Sequence, residues 1–164
     1  LKLITYAVLL CTLYFMPTTH VVSEQTETTV SSNMGEMYSL ALDSYMPLDT
    51  ALNHEIQFIA IDFSTLQDIE QDDKEYITNY FKKYNVNVID STLDNLRKKG
   101  MYDPETLVLK GLLLKITKAD FSNQQVILEG TKYRAGDGAI GVKTILENKD
   151  GKWRVIESKL IWIS

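Results

Sequence analysis

Asp150-Gly151 stands between two long runs rich in β-branched and aromatic residues, Ala139–Lys149 and Lys152–Ser164. Asp-Gly suits a two-residue loop with positive φ at both positions, the turn whose twist matches a pair of antiparallel strands. Such a loop also sets the register, so that positions summing to 301 face each other. Glu147 then meets Arg154, Leu146 meets Val155 and Ile145 meets Ile156, an opposite-charge pair beside two apolar ones. Thr144 meets Glu157 and Val142 meets Lys159. Two further β-rich runs, Leu107–Lys118 and Gln125–Arg134, come before this hairpin. Asp120 with Ser122-Asn123, and Gly136-Asp137-Gly138, supply the intervening turns. The second half of the chain therefore reads as a four-stranded antiparallel meander.

The residues between 36 and 100 carry a different period. Tyr38, Leu42, Tyr45 and Leu48 recur at helical spacing until Pro47 interrupts. Ile56–Ile61 is a short apolar strand signal. Asp72-Asp73-Lys74-Glu75 has the spacing of a capping box, with Asp72 as the cap. Tyr76, Ile77, Tyr80, Phe81 and Tyr84 follow as one aromatic stripe, and Asn85 can end that helix. Val86–Ile89 is short and β-branched. Asp90-Ser91 can cap a further helix that places Leu93 and Leu96 inward and closes at Gly100. The expected fold is α+β: N-terminal helices packed on a curved four- to five-stranded antiparallel sheet.

Residues 1–23 read as a signal peptide or membrane anchor. Lys2 is followed by an apolar run from Leu3 to Met16, and Val21-Val22-Ser23 offers a cleavage site. An uncleaved run to Val22 approaches the length of a spanning helix, although Pro17 and His20 weaken it. The only cysteine, Cys11, follows Leu10 in mid-run, which argues against lipidation. Residues 24–35 are polar and rich in Thr and Ser, the composition of a tether. Residues 36–164 then form a single domain. This reading puts the domain outside the cell or on the outer face of the cytoplasmic membrane, touching membrane only through residues 1–22 if these stay uncleaved.

The formal charge is −5, and no basic stripe runs along any segment. Nucleic acid is therefore not the expected partner. Gly136–Gly141 spells G-x-G-x-x-G, but a strand follows where a dinucleotide site needs a helix. Asp68, Glu70 and Asp72 begin like a calcium loop, yet Asp73 and Asn79 stand where that loop needs Gly and Glu. His54 is the one histidine after residue 23, too few for a histidine metal site. Asp62 and Ser64 near it lack the elbow motif of a serine hydrolase. No cofactor and no metal are expected.

The remaining candidates are side chains that could line a cavity between the aromatic helix and the sheet. Tyr80 and Tyr84 lie on the stripe. Asp62, Tyr133 and Glu157 are the acid and hydroxyl types that a ketosteroid-isomerase-like pocket needs. Arg134, with Lys132 beside Tyr133, could meet an anionic ligand at a strand end. Trp153 and Trp162 are nine apart, hence on opposite faces, so that one packs in the core and the other is covered by a helix or open to a partner. The leading expectation is an exported, non-catalytic domain that binds a small apolar or anionic molecule or a cell-envelope protein. The alternatives are the pocket enzyme and an interaction or inhibitor module using a free sheet edge.

From Asp62 to Ser164 the chain resembles uncharacterised exported or membrane-anchored domains of Gram-positive bacteria. The carrying segments are Tyr80–Val86, Leu109–Leu114, Gly138–Gly141, Gly151-Lys152-Trp153 and Ile161–Ser164. The order of helices then meander, with the late Asp-Gly-Lys-Trp turn, is also similar to NTF2-like and cystatin-like folds. These resemblances imply an envelope location and an α+β architecture, and they assign no residue a role.

Overall fold

The computed structural model describes residues 33–164. The signal or anchor read at 1–23, and all but the end of the tether read at 24–35, lie outside them. The described residues fold as α+β around one mixed sheet of seven strands with three α-helices. Among the described residues no helix is long and apolar enough to cross a membrane.

Helix α1 (Met34–Asp43) starts where Asn33 accepts the Glu36 amide on its side chain. Strand β1 (Phe58–Ile61) is buried at all four positions. An apolar strand with no polar alternation is the mark of a strand covered on both faces, as parallel strands are. It lies parallel to β2 (Asn87–Asp90) and to β4 (Val108–Phe121). Helix α2 (Gln71–Phe81) makes the crossover from β1 to β2. The expectation of a wholly antiparallel sheet of four or five strands is corrected here. A strand, a helix and a strand in succession pair in parallel, and this adds β1 and β2 to the meander.

The order across the sheet is β2-β1-β4-β5-β6-β7, with β3 (Tyr102–Asp103) beside one end of β4. Strands β5 (Gln125–Ala135), β6 (Gly138–Lys149) and β7 (Lys152–Ile163) complete the meander. Asp150 and Gly151 both have positive φ, as the two-residue turn requires.

Local ends depart from the sequence reading by one or two residues. Glu70, not Asp72, caps α2, and its own amide donates to Asp73 Oδ2 at 3.1 Å. The other oxygen of Asp73 accepts the Gly35 amide at 2.8 Å, tying the start of α2 to the start of α1. Thr92, not Asp90 or Ser91, caps α3 (Leu93–Lys98) by accepting the Asn95 amide. Gly100 closes that helix in the left-handed region, as does Asn85 after α2.

The two faces of the sheet carry separate cores. Helices α1 and α2 cover one face, packing Met37, Tyr38, Leu42, Ile77 and Phe81 on Ile59, Ile61, Leu112, Leu114, Val142 and Trp153. Helix α3 covers part of the other, where Leu96 and Tyr102 pack on Phe58, Ala60, Leu109 and Leu113. The rest of that second face, over β5, β6 and β7, has no helix among the described residues.

Candidate functional site

The tyrosines read as pocket lining hold two helices together instead. Asp43, at the end of α1, accepts the Tyr80 hydroxyl at 3.1 Å and the Lys83 ammonium at 2.8 Å on Oδ2, and the Tyr84 hydroxyl on Oδ1. Lys83 also sits over the Tyr80 ring, 4.1 Å from its centroid. Burial raises both hydroxyl pKa values; at Tyr84 the Asp43 carboxylate adds to the effect. Tyr76, also read as part of the stripe, is exposed, and Ile77 and Phe81 do the packing. The space between α2 and the sheet is thus filled by core side chains.

Lys132 and Arg134 are likewise committed. Lys132 is fully buried, and its ammonium donates to Leu48 O, to Asp49 O at 3.0 Å and to Asn53 Oδ1 at 3.1 Å, with Met46 O beside them at 3.4 Å. Burial pushes it down to about 8, against the Asp49 carboxylate. Arg134 donates to Leu52 O at 2.9 Å and to His54 O. Both cations hold down the segment 46–54 and do not meet at a ligand site. Tyr133 points to the opposite face, where burial and then the Tyr102 hydroxyl push it up to about 12.

Asp62 caps the turn Phe63–Thr65, accepting the Ser64 amide and hydroxyl at the end of β1. His54 is exposed and lies 3.9 Å from Glu55, apart from that pair. Glu157 sits on β7 and pairs with Lys159 at 2.7 Å. Strands β4, β5 and β6 separate Asp62 from Glu157, a span of roughly 19 Å at the usual strand spacing. Tyr80 and Tyr133 lie on opposite faces of the sheet. The acid and hydroxyl groups needed for a shared isomerase pocket are therefore not brought together. Among the described residues no group of three His, Cys, Asp or Glu is placed to hold a metal ion.

The edge strand β7 has what the interior lacks. The hairpin register begins as expected, with Glu147 opposite Arg154 and Leu146 opposite Val155. Ile156 is then an extra residue, so Ile145 faces Glu157, Thr144 faces Ser158 and Val142 faces Leu160. Ile161 is a second extra residue, after which Gly141 faces Trp162. The register expected for Ile156, Glu157 and Lys159 is corrected accordingly. Two bulges cancel in parity, so Trp153 and Trp162 do lie on opposite faces: Trp153 is in the core and Trp162 is 45% exposed.

Val155, Ile156, Leu160, Ile161, Trp162 and Ile163 are all exposed, Ile156 at 57% and Ile163 at 65%. They lie on a twelve-residue strand whose outer edge pairs with no strand among the described residues. The opposite edge of the sheet, β2, is four residues long and starts and ends in Asn87 and Asp90. Shortness and polarity blunt an edge against pairing; β7 is long, and its charged residues Arg154, Glu157 and Lys159 interrupt a mostly apolar edge. On the face away from α1, the Trp162 indole lies over Gly141. A Cβ there would come within 2.1 Å of Nε1, so the glycine is what lets the ring lie down. Beside it runs a mostly apolar groove of about 260 Å³ lined by Leu93, Leu113, Lys115, Thr131, Tyr133, Ala139 and Trp162.

The aromatic at the edge was legible as exposed or covered, but the bulges that turn Ile156 and Ile161 outward leave no mark in a β-rich run. Asp43 was missed because its partners are 37 to 41 residues away. Lys132 had a readable signal: it continues the inward alternation Val126, Leu128, Gly130. No family model, no curated protein and no solved structure matches the chain.

Proposed function

We propose that this domain is a non-catalytic protein-binding module that takes an extended segment along its β7 edge. The observation that carries the reading is the set of six large apolar side chains exposed on a long edge strand that pairs with no other on its outer side among the described residues. Main-chain groups of such an edge bond an added strand, while side chains on alternate positions select it. The apolar groove beside Trp162 extends the contact onto one face. Several polar groups that would otherwise suggest chemistry are engaged in the scaffold: Tyr80 and Tyr84 on Asp43, Lys132 and Arg134 on backbone carbonyls. The export signal read at residues 1–23 would make the partner a cell-envelope protein.

A photo-crosslinking residue placed in turn at Ile156 and Ile161 tests the reading in cells that make the protein. Tyr76 and Phe121, exposed but away from β7, are the controls. The reading expects a discrete adduct from both β7 positions and none from the controls. Absence of an adduct at Ile156 and at Ile161 would refute it.

A further inference from the structure

We infer that the segment taken up by β7 is the β7 strand of a second copy of this chain, paired antiparallel about a two-fold axis at Ser158. The inference rests on the edge being a binding surface and names its occupant. A two-fold axis through an antiparallel pair makes one residue face itself, and each neighbour on one side face the matching neighbour on the other. Among registers centred at the middle of β7, the charges distinguish one from its neighbours. Centring on Glu157 sets two carboxylates against each other, and centring on Lys159 sets two ammoniums. Centring on Ser158 sets Glu157 against Lys159 of the second copy, twice.

The same register matches faces as well as charges. Arg154, Glu157, Lys159 and Trp162 lie on the face away from α1, because their β6 partners Glu147, Ile145, Lys143 and Gly141 do. About Ser158, Arg154 falls opposite Trp162 of the second copy, a guanidinium against an exposed indole. On the α1 side Trp153 falls opposite Ile163, while the bulged Ile156 and Ile161, which have no β6 partner, come level with Leu160 and Val155. Around Ser158 the charged pairs, and Leu160 with Ile156, meet directly; the residues beyond the bulges come level with apolar or cationic ones. Glu157 and Lys159 already pair within one chain at 2.7 Å, so two copies bring four alternating charges together. Moving the axis to Glu157 or Lys159 breaks this match, since Arg154 then faces Leu160 or Ser164. The bulges at Ile156 and Ile161 twist the edge and confine regular pairing to the stretch around Ser158.

Light scattering on the full chain tests the occupant, and charge reversal tests the register. The wild type is expected to be a dimer. E157K and K159E should each weaken it roughly tenfold to a hundredfold, because two attractive pairs become two repulsive ones. Mixing the two variants should restore a heterodimer, since each then offers the charge that the other lacks. In a Cys11→Ser background, Ser158→Cys should form a symmetric disulfide-linked dimer. Glu157→Cys should not, because its copies would stand roughly 8 Å apart at the Cα atoms, beyond disulfide reach. A wild-type monomer overturns the self-pairing; the edge reading survives that result only if the β7 crosslinks go to another chain. A dimer untouched by either charge reversal, or linked equally well from Glu157→Cys, overturns the register. The charge variants change exposed side chains, so a failure of Ser158→Cys to fold leaves the mixing result decisive.

Discussion

Replacing Asp43 by alanine removes one acceptor from three donors, and the structure sets the size of the loss. The Lys83 partner is 44% exposed on its side chain, so that ion pair contributes at most about 0.5 kcal/mol. The two tyrosine hydroxyls donate to a carboxylate in a half-buried site, and such bonds contribute roughly 1–1.5 kcal/mol each. Asp43→Ala should therefore cost about 3 kcal/mol, or on the order of 10 °C in Tm for a domain of this size. Urea unfolding at pH 7 measures it, with Tyr84→Phe and the double variant closing a cycle. The cycle should return a coupling of about 1 kcal/mol. The pH dependence has a definite sign. Tyr84 is raised above its ordinary value, so its contribution is complete below pH 10 and is lost as pH rises beyond it, where the unfolded chain releases the proton first. Tyr84→Phe should remove part of that alkaline fall. A cost below about 0.5 kcal/mol for Asp43→Ala, or strict additivity with Tyr84→Phe, would refute the clamp and reopen Tyr80 and Tyr84 as ligand contacts.

Lys132→Met leaves the carbonyls of Leu48 and Asp49 and the Asn53 Oδ1 without the Lys132 donor, and should destabilise the domain by about 2–3 kcal/mol at pH 7. Because Lys132 is lowered to about 8 in the fold, the unfolded chain holds an extra proton between pH 8 and 10.5, and wild-type stability should rise with pH through the lower part of that window. Lys132→Met should lack the rise; a wild-type fall between pH 8 and 10 would show that the four oxygens outweigh burial. Gly141→Ala pushes a methyl group into the Trp162 indole, which can swing away, so the fold should keep its stability to within about 1 kcal/mol. Tryptophan emission should shift to the red as Trp162 leaves the sheet, and an unchanged spectrum would contradict the placement of that ring. Gly111→Ala should be worse than Gly141→Ala, since its Cβ would meet the rigid Phe58 carbonyl at 2.2 Å.

The parts of this fold that local chemistry dictates were legible in the sequence. The four strands of the meander fall within a few residues of the β-rich runs, and Asp150-Gly151 makes the turn its composition requires. What local chemistry leaves open was not legible. Ile56–Ile61 announces a strand, but which neighbours it takes depends on α2 crossing over the sheet, and that makes β1 parallel to both β2 and β4. The hairpin register held as far as Val155 and then slipped, because an inserted residue changes pairing without changing composition. The site followed the same rule. Tyr80, Tyr84, Lys132 and Arg134 looked available because their partners, Asp43 and the carbonyls of residues 46–54, are remote in the chain. The edge formed by β7 became visible once the strand order was known.

The account stands on β7 being a paired edge in the assembled protein. Amide hydrogen exchange on the full chain at a concentration where it is assembled measures this directly. The β7 amides that do not bond β6 should exchange as slowly as those inside the sheet, and should become fast in the double variant Ile156→Lys, Ile161→Lys while β4, β5 and β6 stay protected. Fast exchange of those β7 amides in the wild type, indistinguishable from the double variant, would mean that the edge is free and that the central claim is wrong.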